Sequence, residues 1–431
     1  MQLNIILKNF LKKINIYFFI TNYLSFGLQI LIGFSIFILI YYNKGSDELG
    51  IFIQSYAIFV ILGQISTAGI NESILQKISS GSYINKNIFF NGFIATLIFI
   101  SIFCLLLFFL LPIIVSFFNS NDLDKSIKYF YIAVFFFGLN KIAFSYFISN
   151  KKLNYFAFLN LLRPLVLFTI LIYNIYINNV LNYGLVFIYT EILIFFFSYL
   201  NIINIKKVSS IDFNTRLFID HYKFGLKVWF NSFLSESFIR IDILIVGLLL
   251  SDRDVGVYGI AALFLEGVYQ LSIVIRNILN PELSVLYAKN KLREIVQIVR
   301  GYSVISFIII TLVSILLLLI YDYILIFIYN PELMEAKNIL IILLIGLCFY
   351  SFTIPNENFL FQANKPIYQS IYMFIMTLLN IILNYILILS FGLIGAALAT
   401  SITFVFSILI FNLIVSFSTK LKYGVYIYNI N

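Results

Sequence analysis

Eleven charged side chains lie inside long apolar runs: Glu72, Lys141, Arg163, Glu191, Glu236, Arg240, Asp242, Glu266, Arg276, Asp322 and Glu357. Four of them, Lys141, Arg163, Arg240 and Arg276, are cations that suit phosphate oxygens, because a diphosphate leaving water needs charge-assisted donors. The acids Glu236, Asp242 and Glu266 could take up a proton or a sodium ion and so couple movement of that anion to an ion gradient. Glu236 and Arg240 stand four residues apart and can pair on one helix face. Asp242 points away from Arg240, and Arg276 and Glu266 are the partners that its position suggests. Glu72 and Glu357, near the ends of their runs, are expected to reach the membrane interface. Metal and redox chemistry have little to stand on. Cys104 and Cys348 lack CxxC spacing and read as packed thiols. His221, the one histidine, reads as part of a polar loop, so no cofactor is expected.

The elements that must position these charges follow from composition. The 431 residues are 62% hydrophobic and 11% charged, with a mean hydropathy of +1.01, whereas a soluble domain is about half apolar and about a quarter charged. Apolar runs long enough to cross the roughly 30 Å hydrocarbon layer as helices recur from end to end. Strands of a membrane barrel would alternate polar and apolar residues, which these runs do not. Spans are expected near 16–41, 50–76, 88–118, 127–149, 154–177, 183–205, 222–250, 255–280, 300–329, 337–362, 367–389 and 393–417. Each embedded charge costs about 2.5–3.5 kcal/mol at the bilayer centre. Facing lipid together they would cost roughly 30 kcal/mol, more than the net stability of a typical fold. They must therefore meet one another or a wet cavity.

Loop charges orient the spans. Nineteen Lys and Arg fall in the loops and ends of one side, and five, Lys44, Lys125, Lys128, Arg253 and Lys337, on the other. By the positive-inside rule both termini are cytoplasmic. The net charge of +9 is thereby a topology signal, and nucleic acid is not among the partners. No cleavable signal peptide is read. Residues 3–14 place Leu3, Ile6, Leu7, Phe10, Leu11 and Ile14 at helical spacing beside Lys8, Lys12 and Lys13, which suits either an amphipathic helix on an anionic membrane face or a basic flank that orients the first span. The domain reading is an N-terminal six-helix lobe over 1–205, a cytoplasmic linker over 206–221 and a C-terminal six-helix lobe over 222–431.

The two lobes echo one another. SDELGIF (46–52) opens span 2 and SDRDVGVY (251–258) opens span 8. NYGLV (182–186) and SFGLI (390–394) open spans 6 and 12, and NKKLNY (150–155) and NKPIY (364–368) precede spans 5 and 11. Ser and Asp at such places cap helix starts. Their recurrence six spans apart says more, since six is even and both halves then have the same orientation. Two such bundles enclosing a cavity and opening to either side in turn make a transporter by alternating access.

The segment NIILNYILILSFGLIGAALATSIT (380–403), with small residues at Gly392, Gly395, Ala396, Ala397 and Ala399, resembles the C-terminal end of polysaccharide flippases of the MATE/MOP superfamily, in particular the Wzx-type O-antigen and capsule exporters. RIDILIVGLLLSDRDVGVYGIAALFLE (240–266) resembles the same family. The fold class implied is an all-α polytopic membrane protein, MATE/MOP-like, with 12 transmembrane helices in two six-helix lobes. The function implied is a flippase, not an enzyme, in a bacterial cytoplasmic (inner) membrane. It would move a polyprenyl-pyrophosphate-linked oligosaccharide from the cytoplasmic to the outer leaflet, with Lys141, Arg163, Arg240 and Arg276 lining the cavity. Its partners would be membrane lipids and the polysaccharide polymerase and chain-length machinery. Lipid II flippases of the superfamily carry arginines in their first two helices and multidrug exporters an acid in the first. Spans 1 and 2 here have no arginine, and span 1 has no acid. Two alternatives stay open, a polyprenyl-linked membrane glycosyltransferase or polymerase using Asp47 and Glu48, and a MATE-type small-molecule exporter. The short outer loops speak against the first.

Overall fold

A computed structural model describes residues 16–80, 85–118, 120–178, 181–203, 212–328, 334–421 and 424. The amphipathic pattern at residues 3–14 and residues 206–211 of the expected linker lie outside the described residues, while the rest of that linker from Thr215 is already helical. Within them every regular element is helical. That is what a chain so poor in polar groups must do in hydrocarbon, where a helix satisfies its own N–H and C=O groups. The elements are α1 (Ile16–Ile65), α2 (Ile70–Ser79), α3 (Asn85–Val115), α4 (Asn121–Ile127), α5 (Phe130–Ser149), α6 (Leu153–Tyr173) with a π turn (Asn174–Asn178), and α7 (Tyr183–Ile203). Then follow α8 (Thr215–Leu249), α9 (Asp252–Ala288), α10 (Leu292–Ile328), α11 (Glu335–Tyr350), a 3-10 turn (Ile354–Asn356), α12 (Phe359–Gln362) and α13 (Pro366–Ser418).

Eight of the described helices are long and apolar enough to cross a membrane, and α11 with the bent segment Ile354–Gln362 makes a ninth at a 50° bend. Two of the eight are double. α1 breaks at Gly45 (φ 89°) and α13 at Gly392 (φ 57°), both in the positive-φ region that glycine enters at little cost. With these counted twice and α8 added, the twelve expected crossings are present. α8 is not among the eight, and it carries Glu236, Arg240 and Asp242 within two turns.

The chain forms two compact units, one of residues 16–237 and the other from Phe238 onward. α8 runs through that boundary. In the first unit α5 is central, packed on α2, α3 and α7, with Phe130, Val134, Leu139, Ile142 and Phe147 buried. In the second, α9 packs on α10 and α11, and α11 on α13. α3 and α10 are equivalents under the six-span repeat. Both turn apolar side chains outward, Leu105 (62%) and Phe109 (66%) on one, Leu316 (57%) and Leu319 (66%) on the other. That is the pattern of a lipid-facing helix.

Three expectations are corrected. Span 2 is not continuous over 50–76: α1 ends at Ile65, Ala68 and Gly69 take positive φ, and α2 restarts at Ile70. The cause is a close backbone approach, since Gly69 and Gly225 of α8 leave no room for a Cβ on either. Span 10 is not continuous over 337–362 either, being interrupted at Pro355. His221 is no loop residue. It lies on α8, fully buried, between Ser73 Oγ (Nδ1, 2.9 Å) and the Ile88 carbonyl (Nε2, 3.1 Å). Because a carbonyl can only accept, Nε2 carries the proton and Nδ1 accepts from Ser73. Capping at the repeated motif is as expected at Ser251, whose Oγ accepts from Asp254 N (3.3 Å) while Asp254 accepts from Ser251 N (3.1 Å). In the first copy Glu48 accepts the Tyr183 hydroxyl at 2.8 Å.

Candidate functional site

In the first unit, α5, α6 and α7 bring Asn140, Arg163 and Glu191 together. Arg163 Nε lies 2.9 Å from Glu191 Oε1, and Nη2 donates to Oε2 at 3.2 Å. Asn140 Nδ2 donates to Oε2 (2.8 Å) and to the Glu191 main-chain carbonyl (2.9 Å). The guanidinium carbon stands 5.0 Å from the ring centres of both Phe137 and Phe144, a cation–π arrangement. The two ends of the pair differ in access. The Glu191 side chain is 2% exposed and that of Arg163 25%. The acid is therefore the buried anchor, and the arginine is the less buried partner. Lys141, next to Asn140 on α5, donates to Gln64 Oε1 at the end of α1. The charges of Glu72 and Glu236 also bear on Lys141.

The second unit repeats the device. Arg276 Nη1 on α9 donates to Glu357 Oε2 at 2.6 Å, and the Tyr350 hydroxyl donates to Oε1 at 2.6 Å. Here too the carboxylate is the more sealed partner, at 7% against 18%. The interruption at Pro355 carries Glu357 inward from what would otherwise be the continuation of α11. This corrects the expectation that Glu357 reaches the interface. Tyr350 is stacked between Tyr269 (6.1 Å, 1°) and Phe404 (4.6 Å, 3°). Arg276 Nε is buried with no hydrogen-bond partner among the described residues.

Asp242 is the centre of a third group. Its Oδ2 accepts the Tyr258 hydroxyl at 2.6 Å and the Thr400 hydroxyl at 3.4 Å, and Oδ1 accepts the Ile243 N–H at 2.8 Å. Asn380 Nδ2 donates to Thr400 Oγ1 (3.4 Å), and Asn384 Nδ2 to Asn380 Oδ1 (3.0 Å). Asn384 Oδ1 is buried without a hydrogen-bond partner among the described residues. All five side chains are buried. Among the described residues no cation pairs with Asp242, so the expected pairing with Arg276 is corrected: that arginine is taken by Glu357, and hydroxyl donors hold Asp242. A carboxylate, two hydroxyls and two amides in a dry interior offer oxygen ligands of the kind a proton or a hard cation requires.

Of the other residues singled out in the sequence, Glu236 and Arg240 stand one turn apart on α8 and Glu266 lies on α9, all three partly buried. The sequence reading missed Gln64, Asn140, Tyr258, Tyr350 and Thr400 as partners, and counted Glu191 and Glu357 only as embedded charges. One signal was available. Each missed acid had to be neutralised, and few embedded cations exist to do it.

A family model described as MatE matches residues 228–386. The probable low-salt glycan biosynthesis flippase Agl15 of Haloferax volcanii is 29% identical over 163 residues, which is 38% of this chain and 34% of that protein, so the match takes in about a third of the relative's length. Among solved structures, the lipid II flippase MurJ in an inward closed conformation superposes with a TM-score of 0.71 at 20% identity, covering 91% of this chain and 86% of that one. An inward-facing MATE-family multidrug resistance transporter of the MOP superfamily gives 0.67 at 17% identity, covering 89% and 92%. The chain has the fold of these transporters.

Proposed function

We propose that the protein is a flippase carrying polyprenyl-pyrophosphate-linked oligosaccharide repeat units, of O-antigen or capsule type, from the cytoplasmic to the outer leaflet of the cytoplasmic membrane, with both termini inside. One observation carries the reading. Each unit holds an arginine at membrane depth, fixed by a buried glutamate, and in each pair the arginine side chain is the less buried partner. A fixed guanidinium with donors to spare is suited to phosphate oxygens. A carrier of apolar or cationic small molecules would have no use for one in each half. The shared sequence with a glycan flippase and the fold shared with a lipid II flippase support a lipid-linked substrate. In alternating access, the diphosphate would be handed between Arg163 and Arg276 with Lys141 and Arg240 in support, while the sugars cross and the prenyl tail stays in lipid. Asp242 and its oxygen ligands would bind the driving proton or sodium ion.

The test is a deletion strain. Complete lipid-linked repeat units should accumulate on the inner leaflet, measured by mass spectrometry of lipid extracts and protection from an added periplasmic glycosidase. Incomplete or unpolymerised units would instead mark an enzyme. Intact surface glycan with altered drug sensitivity would mark a small-molecule exporter.

A further inference from the structure

The first half of α8 has two contrasting faces. One is locked into the first unit: Leu217, His221 and Gly225 are buried, His221 bonds Ser73 and Ile88, and the neighbouring Tyr222 hydroxyl donates to the Ala95 carbonyl at 2.5 Å. The other is a single exposed stripe, Arg216, Ile219, Lys223, Leu226, Lys227 and Phe230. At 100° per residue these six fall within about a third of the helix circumference. Among the described residues no acid pairs with the three cations, while nearby Lys77 and Asp220 face each other at 3.9 Å.

Length places the stripe. α8 has 35 residues, or about 52 Å of helix, against roughly 30 Å of hydrocarbon. At its far end it turns at once into α9 (Asp252–Ala288), so the excess projects at the Thr215 end. Counting about 20 residues back from Leu249 brings the edge of the hydrocarbon to Trp229 and Phe230, and Trp is a residue of that interface. Arg216, Lys223 and Lys227 then lie at headgroup depth, with Leu226 and Phe230 leading into the apolar layer.

From this we infer that the outer face of α8 is a loading site for the diphosphate lipid, occupied in the cytoplasmic leaflet before the headgroup reaches Arg163 or Arg276. The inference rests on the flippase reading above and adds the place where the substrate first docks. Charge complementarity selects the occupant. Lys223 and Lys227 are one turn apart, about 5–6 Å between Cβ atoms, which matches two linked phosphates, while a phosphodiester lipid offers one charge. Apolar Leu226 and Phe230 suit a chain that runs from that headgroup into the bilayer.

The test uses the full chain in phosphatidylcholine nanodiscs with a photo-crosslinking side chain at Phe230 and undecaprenyl diphosphate as the probe. The wild type should label, and Lys223→Gln with Lys227→Gln should lower labelling at least tenfold. Lys223→Arg with Lys227→Arg should restore it, and melting temperatures should stay unchanged. Equal labelling in the Gln variant overturns the loading site and leaves the flippase reading intact. So does labelling by phosphatidylglycerol as strong as by the diphosphate. A wild-type protein that neither labels with undecaprenyl diphosphate nor binds it elsewhere overturns both.

Discussion

Arg276 Nη1 and Glu357 Oε2 meet at 2.6 Å across 81 positions of sequence, and the meeting depends on the interruption at Pro355. Removing only one partner leaves a buried charge, a loss of about 3–5 kcal/mol, while removing both for apolar side chains is often neutral. Glu357→Gln should therefore lower the melting temperature of the purified protein sharply. Arg276→Met with Glu357→Met should melt near the wild type yet export no glycan. Export by that double variant would reduce Arg276 to a structural role.

Arg163 holds Glu191 through two nitrogens and lies against two phenyl rings. Lysine keeps the charge but has neither the fork nor the flat face. Arg163→Lys should fold, and surface glycan measured by gel and lectin binding should fall on the order of tenfold. Wild-type glycan in that variant would show that charge alone suffices at this place.

Much of this fold is legible in the residues, and the limits have physical causes. The crossings are visible because each must be predominantly apolar over a length that spans the hydrocarbon layer. The pairing of α3 with α10 follows from the repeat. The breaks at Ser66–Gly69 and Pro355 were written in plain view, as STAG and TIPN, but small and polar residues in a membrane helix also serve close packing, so composition left them undecided. The partners of Asp242 were beyond reach for another reason. Tyr258 and Thr400 hold that carboxylate by hydrogen bonds without a side-chain cation among the described residues, and hydroxyls leave no mark in a count of charges.

Gly225 packs against the α1–α2 break with no room for a methyl group, whereas Gly267 on α9 has open space around it. Gly225→Ala should cost about 1–3 kcal/mol as overpacking. Gly267→Ala should be neutral or stabilising by up to about 1 kcal/mol, as alanine is in a helix. Thermal melting of the two variants side by side checks the contrast. Similar behaviour would mean that the backbone approach at Gly69 can relax.

The proposed orientation can be read by thiol labelling. With Cys104 and Cys348 replaced by alanine, a cysteine at the exposed Asp124 should react in intact cells with a reagent that cannot cross the membrane. One at the exposed Lys291 should react only after permeabilisation. The reverse pattern would invert the charge-based assignment of sides.

Asp242 tests what drives transport. Its carboxylate is buried and held by uncharged donors, an arrangement that costs stability unless a proton or cation is there to share the charge. Asp242→Asn removes that cost and can still accept the Tyr258 hydroxyl, so the variant should fold with an unchanged or higher melting temperature. In proteoliposomes, wild-type transport should rise when a sodium or proton gradient is imposed, and Asp242→Asn should transport at one low rate with or without it. Asn380→Ala should lower the apparent affinity for the same ion without abolishing the response, because Asn380 is linked to Asp242 through Thr400. Should Asp242→Asn respond to the gradient as the wild type does, the coupling ion binds elsewhere, and Glu236 and Glu266 become the acids to replace next.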